Sequence, residues 1–568
     1  MSEPVLQPGG IEKEYHTGVL NEKLEHGGLG LSGSDVLSHH VEASAVDEVY
    51  ARKVYVLNKI INEHIGMTWW HYGLFLVCGV GWFLDNAWLQ LVAIILPQVK
   101  NEFFPGMTTH EGFAQPRFMT LSVFAGMLVG AAFWGVAADI VGRRFSFNAT
   151  LLLAAIFGTA SGGATSFTAL GGLFGALCFG LGGALPVDGM LLLEFLPGNR
   201  QNLLAGLSVF WSLGQLIASL IAWGLVVKFS CDPEVAGDCL IKNSRGWVAS
   251  NASWRYLIFI IGGITFFCFF LRFIVFRIPE SPKYFLAKGR DAEAVDAMHR
   301  FAKMCGRPLP EDMLSVSILR SAAGQDEYMD HKEEVVRSKL GFVDSAKLSL
   351  RNLREDLTRG SNGNTRSGIK ALFATRQLGY TTAMIWLLWA IIGLAYPLFS
   401  SFIVLYLGDS ASGPDSTYMT YRNYAIVSVC GVPGSIIAAF LVEIPRSGRR
   451  GALMISTLLS GVFLFGFTGV HTPNGSLAFS CLTTFFQNIM YGVLYCYTPE
   501  SFPAPLRGTA DGISASLNRI TGMVAVIVAI YGSSASPSAP IYISAALFIV
   551  AALLMLTLRV ETSHRTAL

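Results

Sequence analysis

Three ionisable residues of this chain fall inside long apolar runs, where a charge must be paired, hydrated or neutralised. Asp85 lies in the middle of the first run, Asp188 lies two residues after Pro186, and Arg519 lies in a late run. Taking a charge out of water is costly, so an ionisable residue at such a position predicts a functional site. A buried carboxyl group can exchange a proton near neutral pH, and a guanidinium can bind a carboxylate or phosphate through two parallel hydrogen bonds.

Each of these residues also has a structural interpretation. Asp85 and Asp188 are candidates for proton or substrate binding, or for a buried ion pair. Arg519 is a candidate anion site, a partner of one of these acids, or a side chain that extends to the membrane surface. Asn86 and Gln90 lie one helical turn apart, and their amides could bind substrate or hold helices together. Aromatic side chains that could line the same pocket are Trp88, Trp211, Tyr396, Tyr491 and Tyr495.

Polar residues also interrupt the apolar runs at two places that correspond in the two halves of the chain. The first interruption contains Gly135, Asp139, Gly142, Arg143 and Arg144, and the second contains Glu443, Arg449 and Arg450. A glutamate and a proline follow each interruption at a similar interval, Glu194 with Pro197 and Glu500 with Pro503. Charges at a membrane edge are costly unless they have a specific role there. The repetition predicts two halves of similar architecture.

The spacing of residues 135–144 resembles the signature loop between helices two and three of the major facilitator superfamily of transporters. The block Pro279–Phe285 looks like the Pro-Glu-Ser-Pro-Arg-Trp block of the sugar-porter branch. Leu185–Pro197 looks closest to the synaptic-vesicle-protein-related and organic ion transporter branch, and the resemblance covers about residues 70–560. It implies an all-α integral membrane protein in which twelve transmembrane helices form two six-helix bundles.

The resemblance implies roles for two of the residues in the apolar runs. Related symporters use an acid in span one, here Asp85, to carry the proton, and organic-anion members place an arginine where this chain has Arg519. The sequence departs from the family at Ala176, where an arginine is usual, so proton coupling through that arginine is not expected. The Gln-rich hexose site of the sugar porters is not recognisable around residues 386–402.

The resemblance further implies an inner gate, formed by the loop arginines and the glutamates that follow them, Glu194, Glu280 and Glu500. The expected partners are Arg143 and Arg144 with Glu500 in one network, and Arg449 and Arg450 with Glu194 in the other. Such ion pairs would join the two bundles on one side of the membrane and break when that side opens. Glu443 is expected to replace, at a shifted position, the aspartate of the first loop.

These side chains need long apolar helices to position them, and the composition supplies such helices. Hydrophobic residues make up 52% of the chain and charged residues 14%, and the mean hydropathy is +0.49. Soluble domains carry about 25% charged residues, and a membrane span needs about 20 apolar residues. The predicted spans are residues 72–97, 118–138, 147–168, 170–193, 203–228, 255–277, 377–406, 422–442, 451–470, 477–498, 508–532 and 539–559.

The spans divide the chain into two bundles with a polar segment between them. The predicted parts are an N-terminal tail over 1–66, a bundle over 67–278, a loop with short helices over 279–376, a second bundle over 377–560 and a tail over 561–568. The arginines gather in alternate short loops, and loops rich in Lys and Arg stay cytoplasmic. Both tails and the central loop are therefore expected in the cytoplasm, and the plasma membrane is the expected location.

The loop between spans five and six is expected on the opposite side of the membrane. It holds Cys231 and Cys239, and because that compartment is oxidising, a disulfide between them is predicted. The Asn-Ala-Ser sequence at Asn251 is a candidate glycosylation site, although it lies close to the start of span six.

The sequence therefore predicts a secondary active transporter of a small polar organic solute that works by alternating access, not an enzyme. The favoured form is proton-coupled symport of an organic anion such as a carboxylate, with substrate, protons and the lipid bilayer as partners. The alternatives are a sugar or organic-cation carrier, a proton-coupled drug exporter and a nutrient sensor that does not transport. The chain has no Gly-x-x-x-x-Gly-Lys-Ser/Thr motif, metal-ligand spacing or basic cluster, so ATP, cofactors, metals and nucleic acid are not expected.

Overall fold

The computed structural model describes residues 48–104, 114–140, 143–200, 203–231, 239, 241, 247–275, 278–287, 289–310, 312–322, 369–409, 416–442, 448–470, 472–502, 504–536 and 538–558. The elements assigned within these ranges are helices, as the predicted all-α class requires.

The first half of the chain contains a helix that precedes the predicted spans and then a bundle whose helices follow those spans in order. They are α1 Glu48–Lys59, α2 Trp69–Phe103, α3 Ala114–Ile140, α4 Arg143–Ser161, α5 Phe167–Leu181, α6 Ala184–Phe195, α7 Ser208–Phe229 and α8 Ser253–Phe270. Shorter turns extend three of them: Ile60–Ile65 follows α1, Leu203–Gly206 precedes α7, and Leu271–Val275 follows α8.

Three short helices and a second bundle complete the fold. The short helices are α9 Pro282–Ala287, α10 Asp291–Met304 and α11 Val316–Ala322. The second bundle contains α12 Arg376–Ser400, α13 Ile403–Asp409, α14 Ser416–Leu441, α15 Gly448–Thr468, α16 Pro473–Glu500, α17 Ala504–Ala535 and α18 Ala539–Met555. Hydroxyl side chains cap some of these helices, since Thr375 and Thr472 accept hydrogen bonds from the first-turn amides of α12 and α16.

Ten helical segments of the described chain are long and apolar enough to cross a membrane, and α5 and α6 together form one of them. Helix α18 is apolar but shorter, and α4 begins with two arginines. With these two helices, the ten segments correspond to the twelve predicted spans. The length of α2, 35 residues, exceeds what a bilayer core requires, so this helix extends beyond the apolar region.

The helices of two spans are interrupted, one near its middle at two glycines and one near its end after a proline. The span of α5 and α6 breaks at Gly182 and Gly183, where a Cβ on Gly183 would lie only 2.2 Å from the side chain of Trp134 on α3. Helix α12 ends three residues after Pro397, and α13 continues the chain after a turn. Glycine allows close helix packing and proline removes a backbone donor, so both residue types are compatible with a helix break at these positions.

The two bundles meet along a seam in which α3 packs against α17 and α7 packs against α14. We call the end of the seam that carries Arg143 and Arg449 the inner end, and the end that carries Cys231 the outer end. The inner end is the one that the distribution of Lys and Arg predicts to be cytoplasmic.

Helix α1 and the short helices α9 to α11 pack together at the inner end. The Nζ atom of Lys53 on α1 lies 2.7 Å from a carboxylate oxygen of Asp291 on α10, and both side chains are buried. Arg307, three residues after the end of α10, donates to the carbonyl of Ile65 at 2.7 Å, which ties the end of this N-terminal segment to the segment after α10. The predicted tail over residues 1–66 therefore includes a packed helix.

Candidate substrate pathway between the bundles

A cavity lies between the two bundles in the outer half of the seam, and we call it the upper cavity. Residues of α2, α3, α7, α12, α16 and α17 line it, so both bundles contribute to its walls. Its lining includes polar and aromatic residues, namely Asn86, Gln90, Thr120, Trp211, Tyr396, Ser400, Tyr491, Tyr495, Asn518 and Arg519. Of the five aromatic residues expected at the pocket, only Trp88 lies elsewhere, because its indole N–H donates to Thr265 Oγ1 at 3.0 Å inside the first bundle.

A second cavity, which we call the lower cavity, lies on the inner side of the first. Its lining residues are Trp82, Gly182, Leu185, Pro186, Gly189, Met190, Leu204, Trp389, Tyr495, Thr498, Pro499, Asp511, Ser514, Ala515 and Arg519. Arg519 and Tyr495 line both cavities and so form the partition between them. The ring of Tyr495 packs edge-on against Trp82 and Trp389, with ring centroids 4.9 Å apart in each pair. Sequence analysis did not select Trp82 or Trp389, because an aromatic residue in an apolar run carries no distinct signal.

Arg519 is a buried guanidinium at this partition, with a relative exposure of 7%. Its Nη1 atom donates to Asn518 Oδ1 at 3.2 Å, and its Nε has no protein acceptor among the described residues. The described ion pairs of the chain do not include Arg519, whereas most other buried charges are paired. A buried cation with unused donors has a strong preference for an anionic partner, because its desolvation is otherwise uncompensated.

Asp85 is completely buried on α2, and neither of its carboxyl oxygens has a hydrogen-bond partner in the described part of the chain. It is not among the residues that line the two cavities. Arg519 and Asp188 are the charged groups that act on it electrostatically. The structure therefore brings Asp85 and Arg519 of opposite bundles into one electrostatic environment without joining them in an ion pair.

Asn86 and Gln90 lie at the upper cavity, but protein groups already occupy most of their hydrogen-bonding capacity. The Nδ2 of Asn86 donates to the carbonyl of Trp211 at 2.7 Å, and Gln90 Nε2 donates to Asn86 Oδ1 at 3.2 Å. The Oε1 of Gln90 accepts a hydrogen bond from Tyr424 of the second bundle at 2.7 Å. Of the two roles that the sequence left open, these contacts favour joining helices over direct binding of substrate.

Asp188 forms an ion pair with Arg272, and both side chains are buried inside the first bundle. A Cβ added to Gly81 would meet Asp188, so the carboxylate packs directly against α2. These contacts favour structural pairing of Asp188 over a role in binding substrate. Sequence analysis missed Arg272, although a search for charges of opposite sign within the predicted spans would have found it at the end of span six.

The ion pairs at the inner end connect other partners than the sequence predicted. Arg143 pairs with Glu194 in the first bundle, and Arg449 pairs with Glu500 in the second, with 2.7 Å between Nε and Oε2. For Arg143 and Arg449, the expected pairing with the glutamate of the opposite bundle is therefore wrong. The reason is local geometry, because each arginine lies in the first turn of a helix whose neighbour in the same bundle carries the glutamate in its last turn.

The remaining gate candidates lie in four different settings. Glu280 accepts hydrogen bonds from the backbone N–H groups of Arg143 and Arg144, at 3.0 and 3.3 Å, so it caps the first turn of α4.

Gly135 is buried at the seam, where a Cβ would lie 3.9 Å from the Cα of Gly512 in the opposite bundle. Arg450 is half-buried beside Arg449. The side chain of Asp139, and Gly142 and Glu443 as a whole, lie outside the described residues.

Lys283, on α9 just outside the spans, is a further buried charge at the inner end that the sequence did not select. Its relative exposure is 8%, and burial together with the cations Arg507 and Arg143 lowers the pKa of its ammonium group to about 7. Arg143 belongs to the first bundle and Arg507 to the second, so Lys283 lies where the seam reaches the inner surface.

The outer end contains a buried polar cluster that corrects one prediction. Asn251 is fully buried, and its Nδ2 donates to the carbonyl of Gln98 at 2.8 Å, so the folded chain has no room for a glycan on this atom. The expected glycosylation of Asn251 is therefore wrong.

Two further contacts stabilise the outer end. Glu102 forms a buried ion pair with Arg255 at 2.7 Å. The structure joins Cys231 and Cys239 by a disulfide, as the sequence predicted.

Comparison with known families places this geometry in context. Residues 89–445 match the family model described as Major Facilitator Superfamily, and residues 324–567 match the model described as Sugar (and other) transporter. The chain is 40% identical to the MFS siderochrome iron transporter 1 of Ceriporiopsis subvermispora over 529 residues, which cover 93% of this chain and 94% of the relative.

Two further similarities are more distant. The chain is 27% identical to the niacin transporter NiaP of Acinetobacter baylyi, over 83% of this chain and 89% of the relative. A solved structure of the proton:xylose symporter XylE from E. coli matches with a TM-score of 0.64 and 15% identity, covering 88% of this chain and 98% of that one. At this identity the structural match supports the fold alone. The names of the relatives differ in substrate, so they do not assign one to this chain.

Proposed function

Because the chain belongs to the major facilitator superfamily and is therefore a multi-pass membrane transporter of a small molecule, we propose that it carries an organic anion together with a proton. The single observation on which the proposal rests is Arg519, a buried cation at the partition of two cavities whose Nε has no protein acceptor in the described chain. A carboxylate would supply both the acceptors and the missing countercharge.

The proximity of Asp85 to Arg519 supports coupling of the anion to a proton. Arg519 acts electrostatically on Asp85, and opposite charges favour each other's ionised forms. An anion bound to Arg519 would offset the charge of the guanidinium, which would favour a proton on Asp85. By linkage, a proton on Asp85 must favour the anion to the same extent, so the two bind and leave together.

The lining of the upper cavity supports a flat, partly aromatic substrate. The rings of Trp211 and Tyr491 lie nearly parallel with centroids 6.4 Å apart, and Tyr396 packs edge-on against Tyr491 at 4.9 Å. Aromatic walls favour ring stacking on a planar ligand. Niacin, the substrate named for the relative from Acinetobacter baylyi, is an aromatic carboxylate of this chemistry. A cation carrier is disfavoured, since a buried guanidinium at the partition would repel its substrate.

The test uses the full chain in proteoliposomes with an inside-alkaline pH gradient, and a matched pair of probes. Nicotinate carries the carboxylate, while nicotinamide has the same ring without the charge. A wider panel of carboxylates, sugars and amines covers other substrates. We expect carboxylates to accumulate and neutral analogues not to accumulate. Arg519→Lys should weaken carboxylate transport by about tenfold or more, because an ammonium cannot reproduce the planar fork.

Asp85→Asn separates coupling from binding. We expect it to abolish accumulation driven by the pH gradient but to retain exchange of labelled for unlabelled substrate. Arg376→Lys, at the exposed start of α12, is the matched control and should behave like the wild type. Accumulation of a neutral solute or a cation but of no carboxylate would contradict the proposal. Absence of counterflow for every member of the panel would instead favour a sensor.

A further inference from the structure

The lower cavity contains hydrogen-bond donors that the fold leaves without acceptors. The indole N–H of Trp82 and the Nε of Arg519 are both buried, and neither has a protein acceptor among the residues that the structure describes. Both residues line the lower cavity, and their relative exposures are 2% and 7%. A buried donor without an acceptor destabilises a fold, so two in one cavity indicate a ligand that supplies acceptors.

A second tryptophan of the same cavity shows what a structural role would look like. The indole N–H of Trp389 donates to Thr498 Oγ1 at 2.9 Å. Trp82 and Trp389 pack against the same ring, that of Tyr495, from the two bundles. The two indoles thus have similar surroundings and similar packing, but of the two only Trp389 has an acceptor among the residues that the structure describes.

We propose that the lower cavity is a second binding station for the transported anion, in which Trp82 Nε1 and Arg519 Nε donate to its carboxylate. This proposal rests on the proposed function and adds to it a specificity-determining residue and a step on the inner half of the pathway. Arg519 lines both cavities, so an anion that moves from the upper to the lower cavity keeps the same countercharge throughout.

The chemistry of the two donors selects the ligand. A carboxylate has only acceptors and can take both hydrogen bonds, while the amide of an otherwise identical molecule presents donors of its own. Asp511 also lines the lower cavity, and its Oδ1 is buried without a partner in the described chain. It lies two helical turns from Arg519 on α17, a rise of about 12 Å, so it does not compete for the same donors. Arg507 is the cation that acts on Asp511.

The experiment compares Trp82→Phe with Trp389→Phe in membrane vesicles of both orientations, with labelled nicotinate and benzoate as probes. Both substitutions remove one indole and the same volume from the same cavity. We expect Trp82→Phe to raise the half-saturation concentration at the inner face about tenfold, since it removes a hydrogen bond to a charged group. The half-saturation concentration at the outer face should change much less. Trp389→Phe should change the half-saturation concentration at the inner face much less than Trp82→Phe does, because the indole N–H of Trp389 already donates to Thr498.

Thermal unfolding of the purified variants without ligand distinguishes binding from folding effects. Trp82→Phe should lower the midpoint less than Trp389→Phe, because only the second substitution also breaks a hydrogen bond of the protein. A larger loss of stability for Trp82→Phe, or an unchanged inner-face affinity for carboxylates, overturns the second station. If Arg519→Lys weakens transport while Trp82→Phe does not, the proposed function stands and only this inference fails. If no carboxylate is transported by the wild type, both fail.

Discussion

The two ends of the seam between the bundles are closed by different kinds of contact. At the outer end, polar side chains of α2 reach α14 in the opposite bundle, since Tyr424 donates to Gln90 at 2.7 Å and Gln98 donates to Tyr421 at 3.2 Å. Arg117 of α3 donates to the carbonyl of Ala529 at 2.8 Å, which adds a third connection. Hydrogen bonds between the bundles therefore hold the outer end closed. Two of them join neutral groups, and the third joins a guanidinium to a backbone carbonyl.

At the inner end, the described ion pairs remain within one bundle. Arg143 pairs with Glu194 and Arg449 pairs with Glu500, while small residues let the helices of opposite bundles approach closely. A Cβ on Gly492 of α16, for example, would lie 2.7 Å from the hydroxyl of Ser208. The comparison indicates that outward opening must break hydrogen bonds, whereas inward opening separates packed surfaces and leaves these ion pairs intact.

The largest expected effect comes from breaking an inner ion pair. Arg449→Met would leave Glu500 buried and uncompensated, which costs about 3–5 kcal/mol and should lower the thermal unfolding midpoint of the purified protein. Replacing Glu500 by Met as well should restore much of the loss, because no unpaired charge then remains. If the pair were instead a gate between bundles, the single variant would keep its stability and increase maleimide labelling of a cysteine introduced at Ser514 in the lower cavity.

A smaller effect is expected from the outer hydrogen bonds. Tyr424→Phe removes one bond between the bundles, worth about 1 kcal/mol, and should increase the outward-open population about fivefold. The readout is the labelling rate of a cysteine introduced at Ser400, in the upper cavity, by a membrane-impermeant maleimide added from the outer face. Tyr406→Phe is the control, since the Tyr406 hydroxyl donates to Leu398 inside one bundle. Equal labelling rates in the two variants would remove the distinction between the ends.

The smallest expected effect concerns Lys283 at the inner surface of the seam. Its pKa is lowered to about 7 in the folded chain, against 10.5 for the free side chain, so the unfolded chain binds more protons between these values. Stability should therefore rise with pH through this window, by about 0.7 kcal/mol between pH 6.5 and 7.5. Thermal unfolding of Lys283→Met across this range should lack this rise. Exposed Lys303→Met serves as control, and a rise that persists in Lys283→Met would assign it to another group.

An ionisable residue within an apolar run is visible in the sequence, whereas a residue that matters through its contacts is not. Arg519 and Asp85 were selected because an ionisable residue stands out in an apolar run, and the structure places them in one electrostatic environment. Trp82 does not stand out in this way, because what distinguishes it is an N–H without an acceptor in the described part of the chain, not its residue type. The same holds for Lys283, whose burial results from helices that are distant in sequence.

The sequence by itself determined the family, the order of the spans and the identity of the charged residues within them. Apolar runs of bilayer length and a repeated loop motif are local signals, and each is readable without knowing what packs against it. Only the tertiary structure decided which charge pairs with which. Arg143 has Glu194 as partner rather than Glu500, and Asp188 has Arg272 rather than Arg519, because pairing depends on which helices are neighbours. Arg519 thereby stays outside the ion pairs of the described residues, which no local pattern in the chain could establish.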